Sequence, residues 1–463
     1  MPIPSFRTMM ALLLTLSASC GAQDLPSELA PLARADELPQ SARLLGGTTA
    51  PWVLHLRGSE SDAARAVAVA PDGSILVAGQ FDGELPIGSD LLYAEGPSDA
   101  FLARLSPLGE PLWAQRIGSP GFDAATGVAV DRDGNVTVVG ELGGSVTFDG
   151  GRLSARGGED LFAISFTPDG RRRWSLAWGG PGWQTVDGVS AAPDGGVLVA
   201  GTAEVVPGSD RVDESDQADG FLTRIGPDGR REWTVRLGGE GWDQAHAVAV
   251  ARDGTVAVAG SFGDHMSIGG ARLVSAGGDD AFVATFSPEG QPRWAERLGG
   301  PRDDAATAVA ATPDGSLAVA GRFAGRAALG SFALESAGDA DLFLAALDPT
   351  GQVRWALHQG DSAFDSAQAL TVLGDGSLFL AGTASGATAG SGPCNVLLAR
   401  FTSSGEQTTA LRLTGSFVSA AGLAATGPRS AVLAGWFIRD VRVAGRTLNS
   451  LGNDDALVLA LEL

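Results

Sequence analysis

From position 51 to the end, the chain writes one unit of about sixty residues again and again. "DAFLARLSPLGEPLWAQRIGSPGFDAATGVAVDRDGNVTVVG" at 99–140 returns as "DAFVATFSPEGQPRWAERLGGPRDDAATAVAATPDGSLAVAG" at 280–321. Tryptophans mark the period at Trp52, Trp113, Trp174, Trp233, Trp294 and Trp355, spaced 61, 61, 59, 61 and 61 residues apart, and Ala410 fills the slot in a seventh copy. A repeat of this length is one supersecondary unit that buries its apolar faces only against its neighbours. Each copy holds four strand-like runs. In the first these are "ARAVAVA" (64–70), "SILVAGQF" (74–81), "DAFLARLS" (99–106) and "PLWAQRIG" (111–118), the first two joined through "PDG". The short PDG, RDG and PEG turns read as hairpins whose glycine takes the positive φ of a tight turn.

Strands this continuously apolar need cover on both faces. Small four-stranded sheets that each need two covers stack radially, so the pattern predicts an all-β fold, a seven-bladed β-propeller of four-stranded antiparallel blades. The Ala-, Val- and Gly-rich first run suits the crowded innermost strand, and the tryptophan suits the outer one. The innermost runs start near 64, 125, 186, 245, 306, 367 and 419. A tryptophan-bearing fourth strand opens the body ("PWVLHLRG", 51–58) and a third strand ends it ("DALVLALEL", 455–463). Pairing the two closes the ring by inserting the N-terminal strand into the last blade and covers otherwise bare edges.

Ahead of the repeats, "MPIPSFRTMMALLLTLSASCGAQ" carries one arginine, a short apolar run and then small residues, the pattern of a secretory signal. The cysteine at its end resembles the lipobox of bacterial lipoproteins. The resemblance implies a signal peptide over 1–19, acylation of Cys20 and, with Gly21 following, the outer membrane; ordinary cleavage to a soluble periplasmic or secreted form is the alternative. Residues 20–50 read as a flexible tether and 51–463 as the propeller. Net charge is −22, with no lysine. Such a surface repels phosphate backbones, so nucleic acid is not an expected partner.

The unit "GFDAATGVAVDRDGNVTVVGEL…GGEDLFAISFTPDGRRRW" resembles the seven-bladed beta-propeller (SBBP) repeat of exported bacterial proteins, over about 51–463. The resemblance implies an extracytoplasmic propeller that binds or scaffolds, with no shared catalytic residues. The tryptophan also resembles that of quinone-dependent propellers, where its role is structural; no cofactor is expected.

Candidate ligand contacts lie in the connections into the innermost strands. Asp62, Asp123, Asp243, Asp304 and Asp365 recur there at one register, with Gln184 and Val418 in the remaining copies. Phe122, Trp183, Trp242, Phe364 and Phe417 stand beside them, and His246 falls at the same mouth. Carboxylates flanked by aromatics suit a cation, a basic peptide or a sugar. The competing reading is structural, since an aspartate before a strand caps its own turn. The same two readings apply to Asp99, Asp160, Asp219, Asp280, Asp341 and Asp455. The loops between second and third strands differ among copies. Those at 142–160 and 262–280 read as added hairpins, and 203–219 is acidic, with Asp210, Asp213, Glu214 and Asp216 as a calcium alternative to a solvated loop. "DRDGNV" (131–136) starts like a calcium loop but sits in a hairpin slot. His55, His246, His265 and His358 show no metal-ligand spacing, and no metal site is expected. No nucleophile elbow, zinc motif or phosphate loop occurs. The expected function is therefore a non-catalytic, monomeric, cell-envelope binding or scaffolding lipoprotein that meets an envelope protein or glycan through its loop-bearing face. An envelope enzyme acting on polysaccharide or peptide at the channel mouth, or a glycan-binding adhesin, is the alternative.

Overall fold

The computed structural model describes residues 51–148, 151–155, 160–180, 182–206, 218–385, 394–443 and 445–462. Cys20, the signal and tether segments, and the acidic cluster Asp210, Asp213, Glu214 and Asp216 lie outside them. The described chain is all-β and built of antiparallel four-stranded meanders. The first sheet runs Asp62–Val69, Ile75–Phe81, Asp99–Leu105, Pro111–Ile117, from innermost to outer strand. The second, third, fourth and fifth start at Asp123, Gln184, Asp243 and Ala305 and follow the same order.

Small side chains set the spacing of the innermost strands. A Cβ on Gly127 would come within 2.7 Å of Val189, and one on Gly188 within 3.1 Å of Ala247. Gly422, near the end of the chain, makes the same approach to Ala66 and Val67 of the first sheet. Between the sheets, alternating Leu, Val and Phe side chains form the core, Phe81, Phe101, Phe162, Phe221, Phe282 and Phe343 among them, all buried.

The recurring tryptophans bind each sheet to the next. Trp52 Nε1 donates to the Pro107 carbonyl at 3.1 Å, Trp113 to Pro168 at 3.3 Å, Trp174 to Pro227 at 3.0 Å, Trp233 to Pro288 at 3.2 Å, Trp294 to Pro349 at 3.0 Å and Trp355 to Ser403 at 3.0 Å. Each acceptor lies in the hairpin between the third and outer strands of the following repeat. The indole lies flat on that hairpin's glycine. At Gly109 and Gly229, both at positive φ, an added Cβ would sit 2.6 Å from the ring, so the close approach and the backbone both require glycine.

Val53–Leu56 pairs antiparallel with Asp455–Glu462, Val53 opposite Leu459 and Leu56 opposite Ala456. The same segment's Trp52 reaches into the first sheet, so one strand joins the two ends of the repeat array.

Two departures from separate four-stranded units have local causes. Gln407–Ala425 is one 19-residue strand that serves as outer strand to Cys394–Phe401 and as innermost strand to Ser430–Val443. Five other repeats place a capping Asp where this one has Val418; without a carboxylate to hold a turn the chain stays extended, and Phe417 stacks on Trp436 at 4.9 Å. Added hairpins occur in the two loops where they are expected, Ser145–Phe148 with Gly151–Ser154 and His265–Ile268 with Ala271–Val274. They also occur at Glu84–Ile87 with Asp90–Tyr93 and at Arg326–Leu329 with Phe332–Glu335. The last of these extends the preceding sheet, Leu298 pairing with Leu329.

Deleting Pro51–Gly58 is expected to lower the thermal midpoint sharply and to broaden the transition, because Asp455–Glu462 loses its partner and the Trp52 latch goes with it; calorimetry of the truncated and full chains checks this. Trp233→Phe, which keeps the ring and loses one hydrogen bond, should cost about 0.5–1.5 kcal/mol in denaturant titration.

Candidate functional site in the inner mouth

Asp62, Asp123, Asp243, Asp304 and Asp365 are brought to equivalent places, all buried. Their carboxylates accept backbone N–H groups from the connection just traversed. Gly58 donates to Asp62 at 2.6 Å, Gly239 to Asp243 at 2.7 Å, Gly300 to Asp304 at 2.6 Å and Asp361 to Asp365 at 2.9 Å. Asp123 takes the Ser119 amide and hydroxyl and the Gly143 amide. Gln184 substitutes its amide, donating to the Gly180 and Gly182 carbonyls. The backbone of each aspartate is fixed to the preceding sheet as well: the Asp123 amide donates to the Ser98 carbonyl at 2.9 Å, and the Asp62 amide to Asp454 at 3.0 Å. This geometry is that of a turn cap.

The second tier, at the head of the third strands, is buried beside the first and has a counterion that sequence reasoning missed. Asp99 pairs with Arg116, Asp219 with Arg236, Asp280 with Arg297, Asp341 with His358 and Asp455 with His55. Each of these basic side chains stands three residues after the repeat tryptophan. A Trp-x-x-Arg/His spacing was therefore the available signal; Ala177 breaks it in the second sheet, where Asp160 sits.

Where both tiers are present, two acids share one basic partner, and the first tier is short of positive charge. Burial, reinforced by the neighbouring aspartates Asp455 and Asp454, pushes Asp62 up to about 8. Burial and Asp219 raise Asp243 to about 8, and burial with Asp280 raises Asp304 to about 7.

A cavity between the innermost strands is lined from a different register. Every innermost strand carries a β-bulge against its second strand, three residues after the capping position. The bulged residues are Arg65, Thr126, Asp187, His246, Thr307, Gln368 and Ala421. A bulge re-aims one side chain without breaking the sheet. Unlike the caps, these seven have no common chemistry. On the second strands, the residues paired with the position just after the cap vary as well: Gln80, Glu141, Thr202, Ser261, Arg322, Thr383 and Trp436.

Arg65, Thr126, Asp187 and Ala421 line a single cavity of about 270 Å³ together with Gln80, Phe122, Glu141 and Thr185. Arg65 Nε donates to Gln80 at 2.8 Å, and Thr185 donates to Asp187 at 3.3 Å. Asp187 touches cavity solvent but is surrounded by protein, and that loss of bulk hydration pushes its carboxyl up to about 7. His246, 3.3 Å from the Ser261 hydroxyl, is driven down to about 4 by burial and by the charge of Arg322; it is neutral at physiological pH. Arg322 lies over the Phe364 ring at 5.8 Å. Trp183 and Trp242 stack on each other at 5.5 Å, and Phe364 is exposed. Elsewhere, Glu240, Asp264 and His265 offer ligand atoms within 4.8 Å of one another, a group the spacing of the histidines does not announce; both acids are exposed.

No family model matches the chain. A stretch of 188 residues, 38% of the chain, is 27% identical to the regulatory protein FlaEY of Caulobacter vibrioides and covers 19% of that protein, so the chain spans about a fifth of this relative's length. Among solved structures it is similar to the WD40 domain of Neurospora crassa Pan2, at 10% identity and a TM-score of 0.42 over 86% of this chain and 89% of that one. It is also similar to YCF48 bound to D1 peptide (12% identity, TM-score 0.44, 89% and 95% of the two chains) and to puromycin hydrolase (15%, 0.46, 86% and 55%).

Asp123→Ala removes a buried acceptor of three hydrogen bonds and is expected to cost about 2–4 kcal/mol by denaturant titration. The raised caps also give stability a sign with pH. Between pH 4 and 8 the native protein keeps protons on Asp62, Asp243 and Asp304 that the unfolded chain has already lost, so stability falls as pH rises. The thermal midpoint should be higher at pH 5 than at pH 8.5, and Asp62→Asn should flatten part of that slope.

Proposed function

We propose that the chain is a seven-bladed β-propeller of the SBBP-repeat kind, closed by Val53–Leu56, and that it is a non-catalytic binding or scaffolding module of the bacterial cell envelope. Innermost strands that contact one another in series, with the last of them, Gln407–Ala425, against the first, Asp62–Val69, support the ring. Export on the N-terminal signal and acylation at Cys20 would hold it, as a monomer, at the outer membrane or cell surface. Its partner, an envelope protein or glycan, meets the loop-bearing face; the −22 charge disfavours nucleic acid.

One observation carries this reading. The capping and tryptophan positions repeat, while the bulged register varies from blade to blade, with only Thr126 and Thr307 alike, and four of its members line one cavity. Recognition of an asymmetric partner needs such a register, and rigid elements place it. The rival reading, an envelope hydrolase, draws on Glu141 and Asp187 lining one cavity.

Expression of the full chain with radiolabelled fatty acid should give a labelled band in the membrane fraction, lost in Cys20→Ser. Capture from envelope extracts on the mature protein should retain a component that Arg65→Gln releases. A soluble, unlabelled wild type would remove the anchor; turnover of a polysaccharide or peptide that Asp187→Asn abolishes would replace the binding reading by the enzymatic one.

A further inference from the structure

We infer that the cavity between the innermost strands of the first three sheets binds the ring of one uncharged sugar, presented end-on by a glycan. This rests on the inner mouth being the ligand face, and it names the chemistry of that face.

Three observations lead to it. The first is size. About 270 Å³ lies just below the range of pockets for drug-sized ligands and suits a single six-membered ring. A peptide helix or a nucleotide does not fit.

The second is the alternation of donors and acceptors on the wall. Arg65 spends Nε on Gln80, and its terminal nitrogens meet no acceptor among the described residues. Opposite them stand the carboxyl groups of Asp187 and Glu141 and the amide of Gln80. A sugar hydroxyl donates and accepts at once, so a ring of vicinal hydroxyls satisfies such a wall, whereas a simple ion satisfies half of it. Phe122 supplies the apolar surface on which the C–H face of a sugar lies.

The third is charge. A phosphate or carboxylate ligand meets Glu141 and the acidic surroundings; an ammonium ligand meets Arg65. The repeats themselves argue that the polarity is not structural. At the bulge, Ala421 fills the place of Arg65 and Asp187 in the last sheet and the strand pairing is unchanged.

The test is isothermal titration of the full chain with glucose, galactose, mannose and N-acetylglucosamine, with glucosamine, glucuronate and inorganic phosphate as charged comparisons. One uncharged sugar should bind with a millimolar or tighter dissociation constant. Asp187→Asn and Arg65→Gln should each weaken it about tenfold or more, with unchanged thermal midpoints. If either variant misfolds, Phe122→Leu, which reduces the apolar wall of the cavity, takes its place with the same expectation. Binding that persists undiminished in folded variants overturns the assignment, as does preference for a charged comparison. Failure of every sugar, while the wild type still captures an envelope component, overturns the sugar and leaves the binding module standing. Failure of both removes the inner mouth as the ligand face.

Discussion

Everything in this structure depends on an indole reaching out of one sheet into the next. Each repeat is too thin to bury its own faces, and a strand ladder stabilises only within a sheet. The contact that propagates order between sheets is the tryptophan on an outer strand, donating to a carbonyl and lying on a glycine of the following hairpin. It is a combined apolar and polar contact at the widest part of the wedge, where side chains otherwise thin out. Its one missing member has a reason. Ala410 belongs to the sheet whose successor is completed by Val53–Leu56 beside Asp455–Glu462. Those two strands are not joined by a hairpin, so no turn exists there to receive an indole.

The acids sort by the same logic. A capping aspartate must be buried to bond a connection's amides, and a second aspartate one strand away takes a basic partner. The chain supplies Arg116, Arg236, Arg297, His55 and His358 for that purpose. Burial raises the caps Asp62, Asp243 and Asp304, so the first tier holds protons well above the usual carboxylate range. The bulged register works in the opposite way. Its backbone is fixed by small neighbours, Ala64 and Ala66 around Arg65 or Ala125 and Gly127 around Thr126, and its side chains are free to differ.

Much of the architecture was legible in the sequence because period, turn glycines and apolar runs all act locally. The strand order, the antiparallel meanders and the partner of the opening strand follow from counting Trp52 to Trp355. The continuous strand through Val418 was not legible, since the absence of a cap is visible only once the cap's role is known. The candidate site was half legible. Phe122, singled out by its distance to the strand start, lines the cavity, whereas His246, Trp183 and Phe364 lie outside its lining. A period-2 reading, however, cannot see a bulge, which adds one residue and turns its side chain out of register; Arg65 and Asp187 therefore read as ordinary strand positions. The pairing of Asp99 with Arg116 spans 17 residues and two strands, and only the register reveals it.

The arginines extend this division of labour. Arg104, Arg224 and Arg400 on third strands bridge to Asp72, Asp194 and Asp375 in the hairpins between first and second strands. Arg104 also donates to the Pro168 carbonyl of the next repeat at 2.8 Å. A planar fork that bonds a carboxylate and a carbonyl together is what such a junction needs, and an ammonium would serve it less well. Arg65 and Arg322 stand apart from these uses. They sit on inner strands, where burial disfavours a charge and pulls their affinity for a proton down. Arg65 keeps one hydrogen bond to Gln80, and Arg322 rests over Phe364. The acids around them, Glu141 and Asp454 beside Arg65 and Asp303, Asp279 and Asp304 beside Arg322, favour the charged form and offset part of that cost.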